Sequence, residues 1–224
     1  VTQELTAKLG PSLTLSLVSV MISLCAAIAL GTIAAFKRDG VVDRLSTLGS
    51  IIGSSVPDFV IGLLLIVFVA SRFDQFPSFG YEPLSSGLYE WARHLFLPVV
   101  AMSASLVGIM TRLTRTSILS TLEEDHVRTA IGKGLSRRRV IALHVIRPSL
   151  IPVITTAGLL FVAVIGGVVV IEFVFSIPGL GRLILESIKA RDYPLIQGAT
   201  LLIGVLAIIA SILVDLIHRA LDPR

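Results

Sequence analysis

Five long apolar segments constrain this chain more than any other feature of its sequence. Each contains about 20 or more mostly uncharged residues, the length that an α-helix needs to cross about 30 Å of hydrocarbon. The segments are Ser12–Phe36, Thr47–Ala70, Leu95–Ser117, Val153–Phe175 and Leu195–Ile217. Their residues run without the apolar–polar alternation of transmembrane β-strands. We therefore predict an all-α integral membrane protein, a polytopic bundle with five transmembrane helices in a single domain, residues 1–224.

Composition supports a membrane location. The mean hydropathy is +0.91, and only 15% of the residues are charged, whereas soluble domains contain about 25%. A net charge of +4 alone is compatible with nucleic-acid binding. The charged residues, however, lie mostly between and beside the apolar segments, as in a membrane protein. We therefore predict contacts with membrane lipid and not with nucleic acid. The single cysteine, Cys25, cannot form an internal disulfide.

The basic residues predict the orientation of the chain, because cytoplasmic loops of membrane proteins are enriched in Lys and Arg. Most of the 19 basic residues fall in the first loop, in the long loop after the third segment and in the C-terminal tail. They are Lys37, Arg38 and Arg44; Arg112, Arg115, Arg128, Lys133, Arg137, Arg138, Arg139 and Arg147; and Arg219 and Arg224. This predicts a cytoplasmic C-terminus and an external first residue. We expect one further helix upstream, and so six in the complete subunit.

A polar loop interrupts the apolar pattern from Thr121 to Pro152. Thr121 followed by Glu124 is typical of a capping box, and Gly132 and Gly134 are typical of a helix end, so a short helix over about Leu122–Ile131 is predicted. Ser136 is positioned to begin a second helix. Thr129 and Ala130 are small enough to approach a cleft, and Gly134 permits a tight turn. We interpret the region of about 119–150 as a docking loop for a soluble partner.

No pattern in the chain indicates catalysis, nucleotide binding or metal binding. The pair Gly132-Lys133 lacks the glycine spacing and the following hydroxyl of a P-loop. The four histidines have no metal-ligand spacing, and the serines in the apolar segments have no paired base. We expect no catalytic residue, no metal and no cofactor in this chain.

Ionisable residues inside apolar segments are costly, which makes Asp58 and Glu172 candidates for a functional site. Pro57 is expected to open the second helix near Val56, so that Gly53–Asp58 becomes a kinked stretch facing a cavity. Our hypothesis is that Asp58 or Glu172 lines a translocation pathway. The alternative is a position at the water interface or in a subunit contact.

A sharp external turn follows the fourth segment. It reads Ser176-Ile-Pro-Gly-Leu-Gly181 and leads into a short amphipathic segment, Arg182–Ala190. We expect this segment to lie at the outer surface of the membrane.

The long loop carries the most specific resemblance. Val127-Arg128-Thr129-Ala130, followed by Gly134-Leu135-Ser136 and later by Pro148 and Pro152, resembles the coupling loop of bacterial ATP-binding-cassette (ABC) importer permeases. That family's general pattern is Glu-Ala-Ala-x3-Gly, and here Arg128 and Thr129 stand at its first two places. This departure is similar to the dipeptide and oligopeptide permease branch. Three other stretches resemble the same branch: Glu172–Arg182, Arg191–Gly198 and Asp222-Pro223-Arg224.

The resemblance covers about Ser12 to Arg224 and implies a function. The chain would be the transmembrane subunit of an ATP-driven importer for dipeptides, oligopeptides or related small solutes in the bacterial cytoplasmic (inner) membrane. It implies a second homologous permease subunit, two cytoplasmic ATPase subunits that bind ATP and Mg, and an extracytoplasmic solute-binding protein. It assigns ATPase coupling to Glu124, Val127, Arg128, Thr129, Ala130, Lys133, Gly134 and Leu135. Candidate pathway or gate residues are Asp58, Glu172, Pro178, Gly179 and Gly181.

Two other classes remain open at this point. An ion-coupled secondary transporter needs ionisable residues or broken helices near the membrane midplane, and Asp58 fits that picture. A non-transporting membrane scaffold explains the docking loop without a pathway. Within the importer class, the sequence leaves the cargo open among peptides, nickel, glutathione and sugars.

Overall fold

The structure is a computed structural model that describes residues 2–221, and the described part of the chain is helical. The motif Asp222-Pro223-Arg224 lies outside the described residues. Within these residues ten α-helices follow one another: α1 Thr2–Phe36, α2 Val41–Ser55, α3 Asp58–Leu65, α4 Leu88–Leu122, α5 Asp125–Gly132, α6 Arg137–Arg139, α7 Arg147–Gly167, α8 Val169–Val174, α9 Leu180–Ala190 and α10 Tyr193–Leu221. π-Helical turns at Ile66–Ala70 and Val140–Ile146 extend α3 and join α6 to α7.

Within the described residues, four helices are long and apolar enough to cross a membrane. They are Thr2–Phe36, Leu88–Leu122, Arg137–Gly167 and Tyr193–Arg219. Val41–Ser55 and Asp58–Ala70, two helices bent by 96° at their junction, are together long and apolar enough for a broken fifth crossing or a re-entrant loop. The predicted all-α membrane bundle is confirmed with four to five candidate crossings, and each of the five predicted apolar segments overlaps one of these helices or the bent pair.

The bend in the second crossing lies at Pro57, as the sequence predicts. α2 ends at Ser55, and Val56 has extended backbone angles of φ −93° and ψ 126°. A proline disfavours the helical conformation of the preceding residue, and its missing N–H removes one helical hydrogen bond. The helix therefore stops at Val56 and restarts at Asp58 in a new direction.

The prediction of a loop through Pro148 and Pro152 is wrong. Both prolines belong to α7, and the helical course runs from Arg137 to Gly167. Pro148 is the second residue of α7 and directly follows the π-helical turn Val140–Ile146. Pro152 lies further inside the helix, where packing in a membrane bundle tolerates a lost backbone bond. The segment that connects α4 to α6 is therefore 123–136, shorter than the polar stretch of the sequence.

Apolar clusters define two ends of the bundle. At one end, Ala35 of α1, Ile118 of α4 and Val145 pack with Val127 and Ala130 of α5, and we call this cluster the α5 end. At the opposite end, the α9 end, the start of α1 packs against α9 and the start of α10 through the cluster Leu5, Leu180, Leu183 and Ala199. α1 therefore runs the length of the bundle, from the cluster at the α9 end to the cluster at the α5 end.

α10 returns to the α5 end. Near its C-terminus, His218 Nδ1 lies 2.8 Å from Oγ1 of Thr155, which is in the first half of α7. The C-terminal part of α10 and the short helix α5 are therefore on the same side of the bundle.

Candidate functional site

The first candidate site is α5, which is seated on the ends of the long helices. Glu124, with extended backbone angles, precedes the helix. Gly134, at φ +76°, turns the chain after it, in a conformation that favours glycine. Val127 and Ala130 are only 2% and 4% exposed and face the cluster at the α5 end. α5 is therefore a firmly packed element and not a loose surface turn.

The predicted capping box is wrong. Thr121 belongs to α4 and is buried; its Oγ1 donates to the carbonyl oxygen of Ser117 at 2.8 Å and accepts from Oγ of Ser149 at 2.9 Å. No side-chain hydrogen bond caps α5. The apolar face of α4 continues to Leu122 and keeps Thr121 inside the helix, so α5 begins only at Asp125. The predicted end of this short helix at the glycines is confirmed.

The outward face of α5 differs from the predicted one. Residues three apart lie on one face of a helix. Ala130 therefore lies on the inward face with Val127, whereas Thr129 lies on the exposed face. Arg128 and Thr129 are exposed, and so is Ile131. The expectation that Ala130 faces a partner's cleft is therefore wrong, and Thr129 is the small residue on the exposed face.

The remaining predicted docking residues surround this helix. Lys133 and Gly134 are exposed after its end. Leu135 is half-buried against the cluster at the α5 end, and its N–H donates to the carbonyl oxygen of Ala130. Glu124 is exposed, with Oε2 3.0 Å from Nδ1 of His126. The structure thus brings all of these residues together around one short helix.

Hydrogen bonds join this region to both long helices. Nε2 of His126 lies 2.9 Å from the carbonyl oxygen of His144, on the π-helical turn before α7. Ser117 Oγ of α4 donates to the carbonyl oxygen of Ser149 of α7 at 2.8 Å. A force applied to α5 therefore acts on the ends of α4 and α7 together.

A buried ion pair at the same end escaped the sequence analysis. Arg115 of α4 binds both carboxylate oxygens of Asp43 of α2, at 2.5 and 2.7 Å, and Asp43 is 4% exposed. The backbone N–H of Asp39 donates to the same carboxylate at 3.0 Å. The pair fixes the start of α2 to α4. The only sequence signal was an arginine near the end of an apolar segment, without any hint of its partner.

The second candidate site is a cavity of about 280 Å³ between α3, α4, α7 and α8. Asp58 is half-buried at the start of α3 and is the only ionisable residue among those that line it. The lining is otherwise apolar: Phe59, Met102, Leu106, Leu160, Ala163, Val164, Gly167, Val170 and Ile171. The predicted kink therefore does place Asp58 on a cavity.

Glu172 does not line that cavity. It is fully buried, its Oε1 accepts from Oγ of Ser12 at 2.5 Å, and its Oε2 accepts from the backbone N–H of Arg182 at 3.0 Å. This contradicts the alternative of a position at the water interface. Glu172 lies at the α9 end, inside the subunit.

The predicted gate glycines surround this carboxylate. A Cβ atom on Gly179 would collide with the carboxylate of Glu172, and one on Gly181 would lie 2.5 Å from Cα of Val169. Pro178 lies on a small polar hollow of about 180 Å³ beside Gly179 and Arg182. The turn between α8 and α9 is thus packed closely onto Glu172.

Comparison with solved structures identifies the architecture. A chain of the inward-facing MetNI methionine ABC transporter aligns over 98% of this chain and 97% of its own length, with a TM-score of 0.78 at 14% identity. A chain of an amino acid ABC transporter aligns over 98% and 94%, with a TM-score of 0.70 at 13% identity. The fold is that of an ABC-transporter membrane subunit.

Sequence relatives narrow this class. A probable peptide ABC transporter permease of Sinorhizobium fredii is 40% identical over the whole chain, which covers 72% of that protein. The oligopeptide permease AppB of Bacillus subtilis is 35% identical over the whole chain, covering 72% of AppB. The dipeptide permease DppB of the same organism is 38% identical over 95% of this chain and 67% of its own length.

Residues 27–224 match the family of binding-protein-dependent transport system inner membrane components. The chain belongs to this family, and it is a transmembrane component of an ABC importer. The ion-coupled transporter and the non-transporting scaffold are not favoured.

Proposed function

We propose that this subunit forms part of a translocation pathway for peptides and couples it to ATP hydrolysis on separate subunits. The proposed assembly contains a second homologous permease subunit, two cytoplasmic ATPase subunits that bind ATP and Mg, and an extracytoplasmic solute-binding protein. The chain acts as a single membrane domain, residues 1–224, with a coupling segment at 123–136 that contains α5. It carries no catalytic residue and holds no cofactor of its own.

One observation carries this proposal: a short helix with one face packed and one face free. Val127 and Ala130 pack in the apolar cluster that also contains Ala35 of α1 and Ile118 of α4, and α5 contacts the π-helical turn Val140–Ile146, while Arg128 and Thr129 are exposed. A soluble ATPase that grips the free face moves the packed face with it. Rigid-body motion of the ATPases then reorients the membrane helices, without chemistry in this chain.

The side of the membrane follows from charge. Exposed basic residues gather around the α5 end, among them Arg38, Arg137, Arg138 and Arg139. By the positive-inside rule, these residues support a cytoplasmic position for this end, and with it for the C-terminal part of α10. The α9 end then faces the solute-binding protein.

The relatives support peptides as cargo, since the proteins of Bacillus subtilis are named as dipeptide and oligopeptide permeases. We therefore propose a dipeptide or oligopeptide as substrate. Uptake by the reconstituted complex, with nickel and glutathione as competing solutes, distinguishes this cargo from the others considered.

A nucleotide-dependent cross-link tests the coupling role. Thr129→Cys in a Cys25→Ser background is expected to form a disulfide with cysteines in the cleft of a co-expressed ATPase, and the yield is expected to change when ATP is added. Lys37→Cys, an exposed position on the turn after α1, serves as the control that reacts with a thiol reagent but does not cross-link there. An inserted, assembled complex without a Thr129 cross-link contradicts the proposal.

A further inference from the structure

The first turn of α9 is capped by residues of two other helices. The first N–H groups of a helix lack partners within it and must find acceptors elsewhere. Here the N–H of Leu180 donates to Oγ of Ser12 in α1 at 2.8 Å, and the N–H of Arg182 donates to Oε2 of Glu172 in α8 at 3.0 Å. α9 has no capping side chain of its own.

Ser12 and Glu172 hold each other in place. The hydroxyl of Ser12 donates to Oε1 of Glu172 while it accepts from Leu180, so one serine joins α1, α8 and α9. Ser12 is 4% exposed and Glu172 is fully buried. A buried carboxylate is costly unless its hydrogen bonds are made, and a helix N-terminus is favourable for negative charge. We call this arrangement the Ser12–Glu172 cap.

α1 connects this cap to the proposed docking helix. Ala35, near the end of α1, packs in the cluster that holds α5, and Ser12 lies about 35 Å away along the same helix at 1.5 Å per residue. A displacement of α1 at the α5 end therefore reaches the cap. Because α8 holds the other half of the cap, movement of α1 relative to α8 alters the hydrogen bonds at the start of α9.

We propose that Ser12 and Glu172 are positioning residues that couple the orientation of α9, at the outer end of the subunit, to movement of α1 and α8. This proposal rests on the proposed function, which supplies the ATP-driven movement and the assignment of the α9 end to the outside. Glu172 acts through α9 and does not contact the transported solute.

The test uses the complete complex in lipid nanodiscs, with amide hydrogen exchange of α9 measured with and without a non-hydrolysable ATP analogue. In the unsubstituted protein, exchange at Leu180 and Arg182 is expected to respond to nucleotide. Glu172→Gln replaces an acceptor oxygen with a donor, so the Arg182 amide is expected to exchange about tenfold faster, the size of a lost helix cap. Its response to nucleotide is expected to disappear.

Peptide uptake per ATP hydrolysed is the second measurement, because a purely structural role of the cap would leave it unchanged. We expect Glu172→Gln to lower peptide uptake per ATP hydrolysed several-fold, with ATPase activity retained. Ser12→Ala keeps the carboxylate and its backbone donor, the N–H of Arg182, so it is expected to show a smaller change in the same direction. If Glu172→Gln fails to fold, Ser12→Ala alone tests the proposal.

Two control substitutions test whether the effects are specific to the Ser12–Glu172 cap. Ser16→Ala, one turn along α1, removes a buried hydroxyl that has no hydrogen-bond partner within the described residues. Glu186→Gln alters an exposed carboxylate of α9 that pairs only with Arg182 of its own helix among the described residues. Both are expected to leave α9 exchange and the uptake per ATP unchanged.

The outcomes separate this proposal from the proposed function. If Ser12→Ala and Glu172→Gln match the controls in both exchange and coupling, the proposal is overturned. Faster exchange with normal coupling overturns the functional role of the cap. If the unsubstituted complex shows no ATP-driven uptake and no Thr129 cross-link, the proposed function fails, although the exchange result still reports on the cap.

Discussion

The buried pair of Asp43 and Arg115 shows how one side-chain contact can fix a helix in this protein. Asp43 lies in the first turn of α2, and its carboxylate is covered by the arginine of α4 and by the Asp39 N–H. Removing one partner of a buried pair leaves the other charge without compensation, which costs about 3–5 kcal/mol. Leaving the more buried Asp43 carboxylate unpaired should therefore cost more stability than leaving Arg115 unpaired.

We expect Arg115→Leu to destabilise the folded subunit strongly, because it leaves the nearly inaccessible Asp43 carboxylate unpaired. Asp43→Asn should cost less, since Arg115 keeps 27% of its side-chain surface exposed, and the double variant should recover part of the loss. Thermal unfolding in detergent measures this cycle. Glu186→Gln, which breaks an exposed pair, is the control and should shift stability by less than about 1 kcal/mol. Additive single effects in the cycle would contradict a direct Asp43–Arg115 contribution.

At the scale of elements, the bend between α2 and α3 decides where Asp58 lies. Gly53 brings α2 against the backbone of α4: a Cβ there would lie 2.7 Å from the carbonyl oxygen of Ala104. α2 is thus held on α4 while α3 leaves at 96°. Pro57 provides the break in the helix, and packing against α4 keeps the two arms apart.

Pro57→Ala is expected to restore a backbone donor and to free Val56 to become helical, so that α2 and α3 straighten. Spin labels at the exposed positions Leu48 and Val67 should move apart toward about 28 Å, the length of unbroken helix between them. Pro98→Ala, within the continuous helix α4, is the control and should leave this distance unchanged. An unchanged distance in Pro57→Ala would show that packing alone sets the bend.

Local signals and long-range contacts differ in how well the sequence predicts them. The apolar segments, the bend at Pro57 and the end of α5 at its glycines depend on neighbouring residues, and all were predictable. The contact of Ser12 with Glu172 joins positions 160 residues apart, and no local pattern indicates it. The inward direction of Ala130 was only partly predictable. Helical spacing shows that Ala130 and Val127 share a face, but it does not show that this face is the packed one.

At the scale of the whole molecule, four helices meet at the cavity that Asp58 lines. Movement of any of them changes the environment of the Asp58 carboxylate. α3, α4, α7 and α8 all contribute to its lining, and α7 is braced near α5 by Ser117 and Ser149. If ATP-driven motion of α5 moves α4 and α7, the cavity changes with them. We propose that Asp58 lies on the solute's route in at least one state, where its carboxylate attracts cationic solutes.

We therefore predict that Asp58→Asn lowers uptake of cationic peptides relative to neutral ones. The expected factor is about five, corresponding to one partly screened charge interaction of about 1 kcal/mol. Initial uptake rates by the reconstituted complex, with peptides of matched length and different charge, measure this ratio. Asp74→Asn, an exposed acid in the loop after α3, controls for the general loss of negative charge and should leave the ratio unchanged. Equal rates for every charge class in Asp58→Asn and the unsubstituted protein would remove Asp58 from the pathway and leave the cavity as a packing defect between moving helices.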